Sequence, residues 1–155
     1  MKKLMMGSLA ALFLTASLSA SAQVDPEDQI KYRKAGYSFM SWNMGKIKAM
    51  AIDESVAWDP AQVQAAANSI AATANSGMGA LFGPGTEKSI GNTKTRVKAE
   101  MFTDGAGVQE VGIAFNKAAN ELAAAAATGD QALVAKAFGA AGQSCKGCHD
   151  KYRMD

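Results

Sequence analysis

Cys145-Lys146-Gly147-Cys148-His149 sets both cysteines and the only histidine of this 155-residue chain side by side near its C-terminus. Two thiols three residues apart can each form a thioether to one vinyl group of a haem, and the adjoining imidazole then lies beside the iron as an axial ligand. The spacing points to one covalent haem c per chain, with Cys145 and Cys148 as attachment points and His149 on the metal. Two other chemistries use the same letters. A redox dithiol wants its Cys-x-x-Cys at the start of a helix after a strand, where the dipole depresses the thiol pKa, and here the motif ends the last helix. A zinc site needs four donors, so a carboxylate such as Asp150 would have to complete the set.

The elements that must position this motif are helical. Asp25-Pro26-Glu27-Asp28 is a helix start, with a capping carboxylate, a proline pre-set for the first turn and acids near the positive end. Ile30, Tyr37, Met40, Met44 and Ile47 then trace one face to about Ala51. Asp59-Pro60 repeats the signature, and the seam Val63, Ala67, Ile70, Ala74, Met78, Leu81 predicts a second helix ending at Gly83-Pro84-Gly85. A long crossover loop follows to about Gly107, with at most a short helical turn near Val97 to Phe102.

A third helix runs from about Val108 to Thr128 with Val111, Phe115, Ala118 and Leu122 inward. Gly129 closes it and Asp130 caps the fourth. So short a break makes helices three and four antiparallel neighbours. In the fourth, Val134, Ala137, Phe138, Ala141, Cys145, Cys148, His149 and Tyr152 form one stripe. No stretch alternates with period two, so the expected fold is all-α: an antiparallel up-down-up-down four-helix bundle with an interior, covalently bound haem.

Residues 1–22 read as a cleaved signal peptide, with Lys2 and Lys3 as the basic region, an apolar run from Leu4 to Leu18 and Ala20-Ser21-Ala22 as the cleavage site. The address is the periplasm, where haem is attached to thiols. Residues 23–155 form a single domain, with no membrane association after cleavage. The formal +2 charge belongs to the two leader lysines, and the remaining 14 basic residues balance 14 acidic ones. No basic stripe with interleaved aromatics remains to bind nucleic acid, and no nucleophile constellation suggests a hydrolase or transferase. The chain is read as a ligand-binding or redox protein, not an enzyme.

These pieces resemble the cytochromes c′, the class II c-type cytochromes, over the whole of residues 23–155. The likeness rests on the late Cys145-Lys146-Gly147-Cys148-His149 with Lys151-Tyr152-Arg153, on Lys31-Tyr32-Arg33, and on Phe82-Gly83-Pro84-Gly85-Thr86. Class I cytochromes carry the motif near the N-terminus instead. The sequence is most similar to the purple-bacterial type with a distal tyrosine. The resemblance implies a five-coordinate, high-spin haem on His149 that binds NO and CO, and a homodimer through helices one and two. It places Tyr37 on the distal face, Phe82 among the cofactor-binding residues, Arg33 and Lys34 over the propionates, and Arg153 on the proximal side. Ala99 departs from a proline found in many members, which leaves Arg96 and Lys98 without an assigned role.

Bis-histidine ligation is impossible with one histidine. Tyr37 could ligate only as a phenolate, so as a neutral phenol it acts as a steric lid. Met40, one turn from Tyr37 on the same face, is the methionine whose ligation would instead give a His149/Met40 electron-transfer cytochrome. The favoured reading is NO sequestration, with electron exchange with a redox partner protein as a further use. A haem-free helical interaction protein would require the cysteine motif to be accidental. Because Tyr37 rides on the helix expected at the dimer interface, ligand binding is expected to weaken the dimer.

Overall fold

Each long helix of the chain begins on an aspartate. Asp25 accepts from the Glu27 N–H at 2.8 Å, Asp59 from Ala61 and Gln62 at 3.0 and 3.1 Å, Asp104 from Gly107 at 2.9 Å, and Asp130 from Ala132 and Leu133 at 2.8 and 3.0 Å. Each satisfies N–H groups that the first turn leaves orphaned, at about 1 kcal/mol per cap. The computed structural model describes residues 24–155, and the expected leader lies outside them. The helices are α1 (Pro26–Ala51), α2 (Pro60–Ala74), α3 (Gly105–Ala127) and α4 (Gln131–Tyr152).

They form an antiparallel up-down-up-down bundle. Gly129, at φ 72°, turns α3 into α4. At the same end the Gln131 side chain donates to Glu54 at 3.2 Å, which ties the start of α4 to the end of α1. The interior is built from Met40, Ile47 and Met50 of α1, Val63, Ala67 and Ile70 of α2, Ala119 and Leu122 of α3, and Val134 and Ala141 of α4. Ile47, Ile70 and Leu122 are fully buried, and burying each such side chain stabilises the fold by about 1.5–3 kcal/mol. The many alanines keep the helices close.

Two expectations need correction. The second helix stops at Ala74, seven residues before the end of its apolar seam. Asn75 folds its amide back onto the Ala71 carbonyl at 2.8 Å, and Gly77 takes a left-handed φ of 82°, so the chain leaves the helix there. Met78–Leu81 continue only as a 3₁₀ turn, in which Met78 lies against Gly36 of α1, so the apolar period survives although the helix does not. The third helix starts three residues earlier than expected because Asp104, not the stretch before Val108, is its cap.

The crossover segment holds a 3₁₀ turn at Ala99–Phe102, inside the span where a short turn was expected. Among the described residues its only β pairing is two isolated bridges, Ile90 with Thr93 and Val97 with Arg153. The second clamps the loop onto the end of α4. There the Lys98 N–H donates to the Tyr152 carbonyl and the Met154 N–H to the Arg96 carbonyl, both at 2.8 Å. Of the neighbouring helix pairs, α1 and α4 approach each other least.

Candidate functional site

Cys145 and Cys148 lie on the last three turns of α4, half-buried, with His149 exposed beside them. Burial pushes both thiols above their ordinary range, and Cys145 pushes Cys148 further. A nucleophilic dithiol needs the opposite shift and a helix N-terminus, whereas this pair sits deep in α4, which starts at Gln131. The zinc alternative fares no better. Among the described residues no group of three or more His, Cys, Asp or Glu side chains is placed to hold a metal ion, and Asp150 pairs with Lys146 at 2.5 Å.

Across from the motif, α1 presents Tyr37. Its ring lies 6.4 Å from that of Phe82, which in turn carries the Arg33 guanidinium at 4.6 Å over its face. Tyr37 keeps 40% of its surface exposed, yet its phenol is pushed up to about 12, first by burial of the hydroxyl end and then by Cys148 and Cys145, with Arg33 opposing. The two thiols therefore lie within electrostatic reach of the phenol. Tyr37 is neutral across the working pH range, which suits a lid and not an anionic ligand.

That shift has a measurable consequence for stability. A phenol whose folded pKa is raised binds its proton more tightly when folded, so its contribution is complete below about pH 10 and is lost as the pH climbs towards about 12. Tyr37→Phe should flatten part of this alkaline fall. Urea midpoints of both proteins at about pH 9 and about pH 11.5 check it, and parallel losses would show that Tyr37 does not contribute.

Arg33, which the resemblance places over the propionates, is held inside the protein. It is 3% exposed, and its terminal nitrogens donate to the Leu81 carbonyl at 3.2 Å, the Thr86 hydroxyl at 2.8 Å, the Thr86 carbonyl at 2.7 Å and the Thr95 hydroxyl at 2.7 Å. Both terminal nitrogens are thus spent on the crossover segment, leaving only the Nε hydrogen for any other acceptor. Lys34 is exposed. Met40 is 5% exposed and packs in the bundle core with Ile47 and Ile70, so proximity along the helix to Tyr37 did not place it on the open face. Sequence reasoning missed Thr86 and Thr95 as the acceptors that hold Arg33. Thr86 had a signal, since it closes the Phe82–Thr86 stretch just after a glycine at φ 85°.

On the other flank, Arg96, Lys98, Asp150, Arg153 and Met154 surround His149 in an open depression of about 480 Å³. The Arg153 Nη1 lies 3.3 Å from Nδ1 of His149. Arginine has donors only, so this is a hydrogen bond for the tautomer with its proton on Nε2. Lys98 Nζ donates to the Asp150 carbonyl at 3.1 Å, and Arg96 meets the site through its backbone carbonyl.

The residues present fit haem c. The side chains present are two thiols that could form thioethers and an imidazole on one helix face, and half-buried Phe82 and Phe138 with the part-exposed ring of Tyr37 offer apolar contact. A methyl group added at half-buried Gly142, one turn before the motif, would meet no atom within 4 Å, so this face of α4 stands clear of the other helices.

Residues 28–153 match the family model described as Cytochrome C′. The chain is 55% identical over 138 residues to the cytochrome c′ of Allochromatium vinosum, covering 89% of this chain and 88% of that one. It superposes with a TM-score of 0.82 and 55% identity on a cytochrome c′ structure described as having an unusual ligand-controlled dimer dissociation, covering 85% of this chain and 98% of the other. A nitric oxide complex of a variant cytochrome c′ from Alcaligenes xylosoxidans, 32% identical, superposes at 0.75 over 85% of this chain and 98% of that one, and the same protein has been solved with carbon monoxide. A C-terminal thiol pair with its imidazole on the fourth helix, with a tyrosine of the first helix within electrostatic reach, is accordingly no coincidence of spacing: this chain belongs to the cytochrome c′ family, whose cofactor is haem c.

Proposed function

We propose that this chain is an exported periplasmic protein that binds NO and CO at a five-coordinate haem and serves to sequester NO. In this reading residues 1–22 are removed, residues 23–155 form the working domain, Cys145 and Cys148 carry the haem as thioethers, and His149 is the axial ligand. The haem supplies an iron with one open coordination position. The chain supplies the rest. The observation that carries the reading is Tyr37, a neutral phenol within electrostatic reach of both thiols on the helix that, of its two neighbours, packs less closely against α4.

Neither Tyr37 nor Met40 is set up to fill the open position. Tyr37 would need to lose a proton that its surroundings hold more firmly than usual, and Met40 is enclosed in the core. An uncharged ring standing over the open position excludes bulky and anionic ligands by clash and desolvation, while diatomic gases enter when it moves. The gas complexes of the Alcaligenes relative support this. Among the described residues no helix is long and apolar enough to cross a membrane.

Dimerisation belongs to the same proposal. On α1 the rings of Phe39 and Trp42, 50% and 59% exposed, stack at 5.8 Å with Lys46 over Trp42. These rings would be covered in a dimer formed through α1 and α2. Tyr37 rides on the same helix as these rings, so a shift of α1 when the lid moves disturbs this face, and ligand binding and dimer strength then oppose each other reciprocally.

Titrating the ferrous protein with CO tests these points together. The Soret band should shift with one equivalent per chain, and Tyr37→Ala should speed CO association about tenfold, which corresponds to about 1.4 kcal/mol off the barrier. Sedimentation of the same samples should show a weaker dimer with CO. A ferrous spectrum that CO leaves unchanged would overturn the open site, and identical dimer constants would reject the coupling.

A further inference from the structure

Beyond Ala141, one α4 side chain is fully buried: Tyr152, 4% exposed. The stretch between them carries Cys145, Cys148 and His149 and buries none of its side chains completely, so contacts at its two ends fix its rotation and height. Tyr152 is held at both extremities. Its hydroxyl donates to Asp104 Oδ2 at 2.5 Å, and its carbonyl accepts from the Lys98 N–H at 2.8 Å. Asp104 is itself fixed, because its other oxygen caps α3 through the Gly107 N–H at 2.9 Å.

Gly107 completes the joint. A Cβ at this position would overlap both the Asp104 carboxylate and the Tyr152 hydroxyl, so α3 can admit the phenol only where it has no side chain. Three residues from two helices therefore form one contact that a turn or slide of α4 would break. His149 stands three residues before Tyr152, on the last turns of the same helix.

We infer that Tyr152, seated on Asp104 and admitted by Gly107, is a positioning residue that sets the register of the last turn of α4 and with it the orientation of the His149 imidazole. This rests on the reading of His149 as the axial ligand. Tyr152 touches no reacting atom and acts through the helix it anchors.

Tyr152→Phe keeps the ring and removes only the hydroxyl, and Asp104→Ser keeps a capping oxygen but draws it back from the phenol. In haem-loaded protein both should broaden and shift the iron–histidine stretching band of the ferrous form. Both should also change the ferric-to-ferrous equilibrium constant roughly threefold, since the orientation of a ligating histidine tunes the metal it holds. Asn120→Ala, which removes a 2.9 Å hydrogen bond between α2 and α3 away from the motif, provides a variant with a comparable stability loss. It should leave the band in place. If Tyr152→Phe and Asp104→Ser lower the melting temperature but keep the wild-type band and equilibrium, the inference is overturned. If the wild-type protein itself shows no iron–histidine band, the reading of His149 fails instead.

Discussion

Replacing Cys145 and Cys148 together by Ala should abolish covalent haem altogether, so that the purified protein has the mass of its polypeptide alone and gives up any pigment to acidified solvent. A thioether is a carbon–sulfur bond that does not exchange, whereas His149 by itself offers one coordinate bond from an exposed side chain. The wild-type chain, made in cells able to attach haem, should carry the mass of one haem that no solvent extracts. His149→Ala should separate the roles, keeping the added mass while losing the high-spin spectrum of a histidine-ligated iron. An unmodified mass for the wild-type chain under those conditions would remove the basis of the proposed function, because no other group of donors among the described residues could hold the iron.

The second large effect is structural. Arg33→Met should lower unfolding stability by about 3 kcal/mol, since it strands two carbonyls and two threonine hydroxyls that the guanidinium now satisfies inside the protein. That corresponds to a melting temperature lower by roughly 10 °C for a chain of this size. Arg33→Lys should recover only a small part, because one ammonium cannot span acceptors that a planar fork reaches from two nitrogens. Lys34→Met, at the exposed neighbouring position, should stay within about 0.5 kcal/mol of wild type. Urea unfolding of the haem-loaded proteins measures all three. Equal stabilities for Arg33→Met and Lys34→Met would mean that the brace contributes nothing.

The contrast between these neighbours marks where sequence reading stops. The helices were legible because Asp-Pro starts, the Gly129-Asp130 break and the apolar periods act over a few residues, and α1 has the expected bounds of Pro26 and Ala51. The thiols and the imidazole were legible because their chemistry depends on spacing alone. Arg33 was not, since its acceptors lie 48 to 62 residues away on a segment without periodicity. Met40 and Tyr37 share a helical face by count, but only the placement of α4 decides that one enters the core and the other borders the motif. Asp104 was overlooked for a simpler reason: two poor helix formers, Gly105 and Gly107, lie between it and Val108, the first large apolar position of its helix.

Arg33 also sets how the protein responds to its surroundings. Among the described residues no carboxylate lies within ion-pair reach of it, so its positive charge is balanced by carbonyl and hydroxyl dipoles and an aromatic face. Small ions cannot enter to screen these short contacts, although they weaken exposed pairs such as Lys31 with Glu27. The attachment of the crossover segment to α1 is therefore insulated from ionic strength, and a compartment whose salinity follows the outside medium leaves this side of the bundle unaltered.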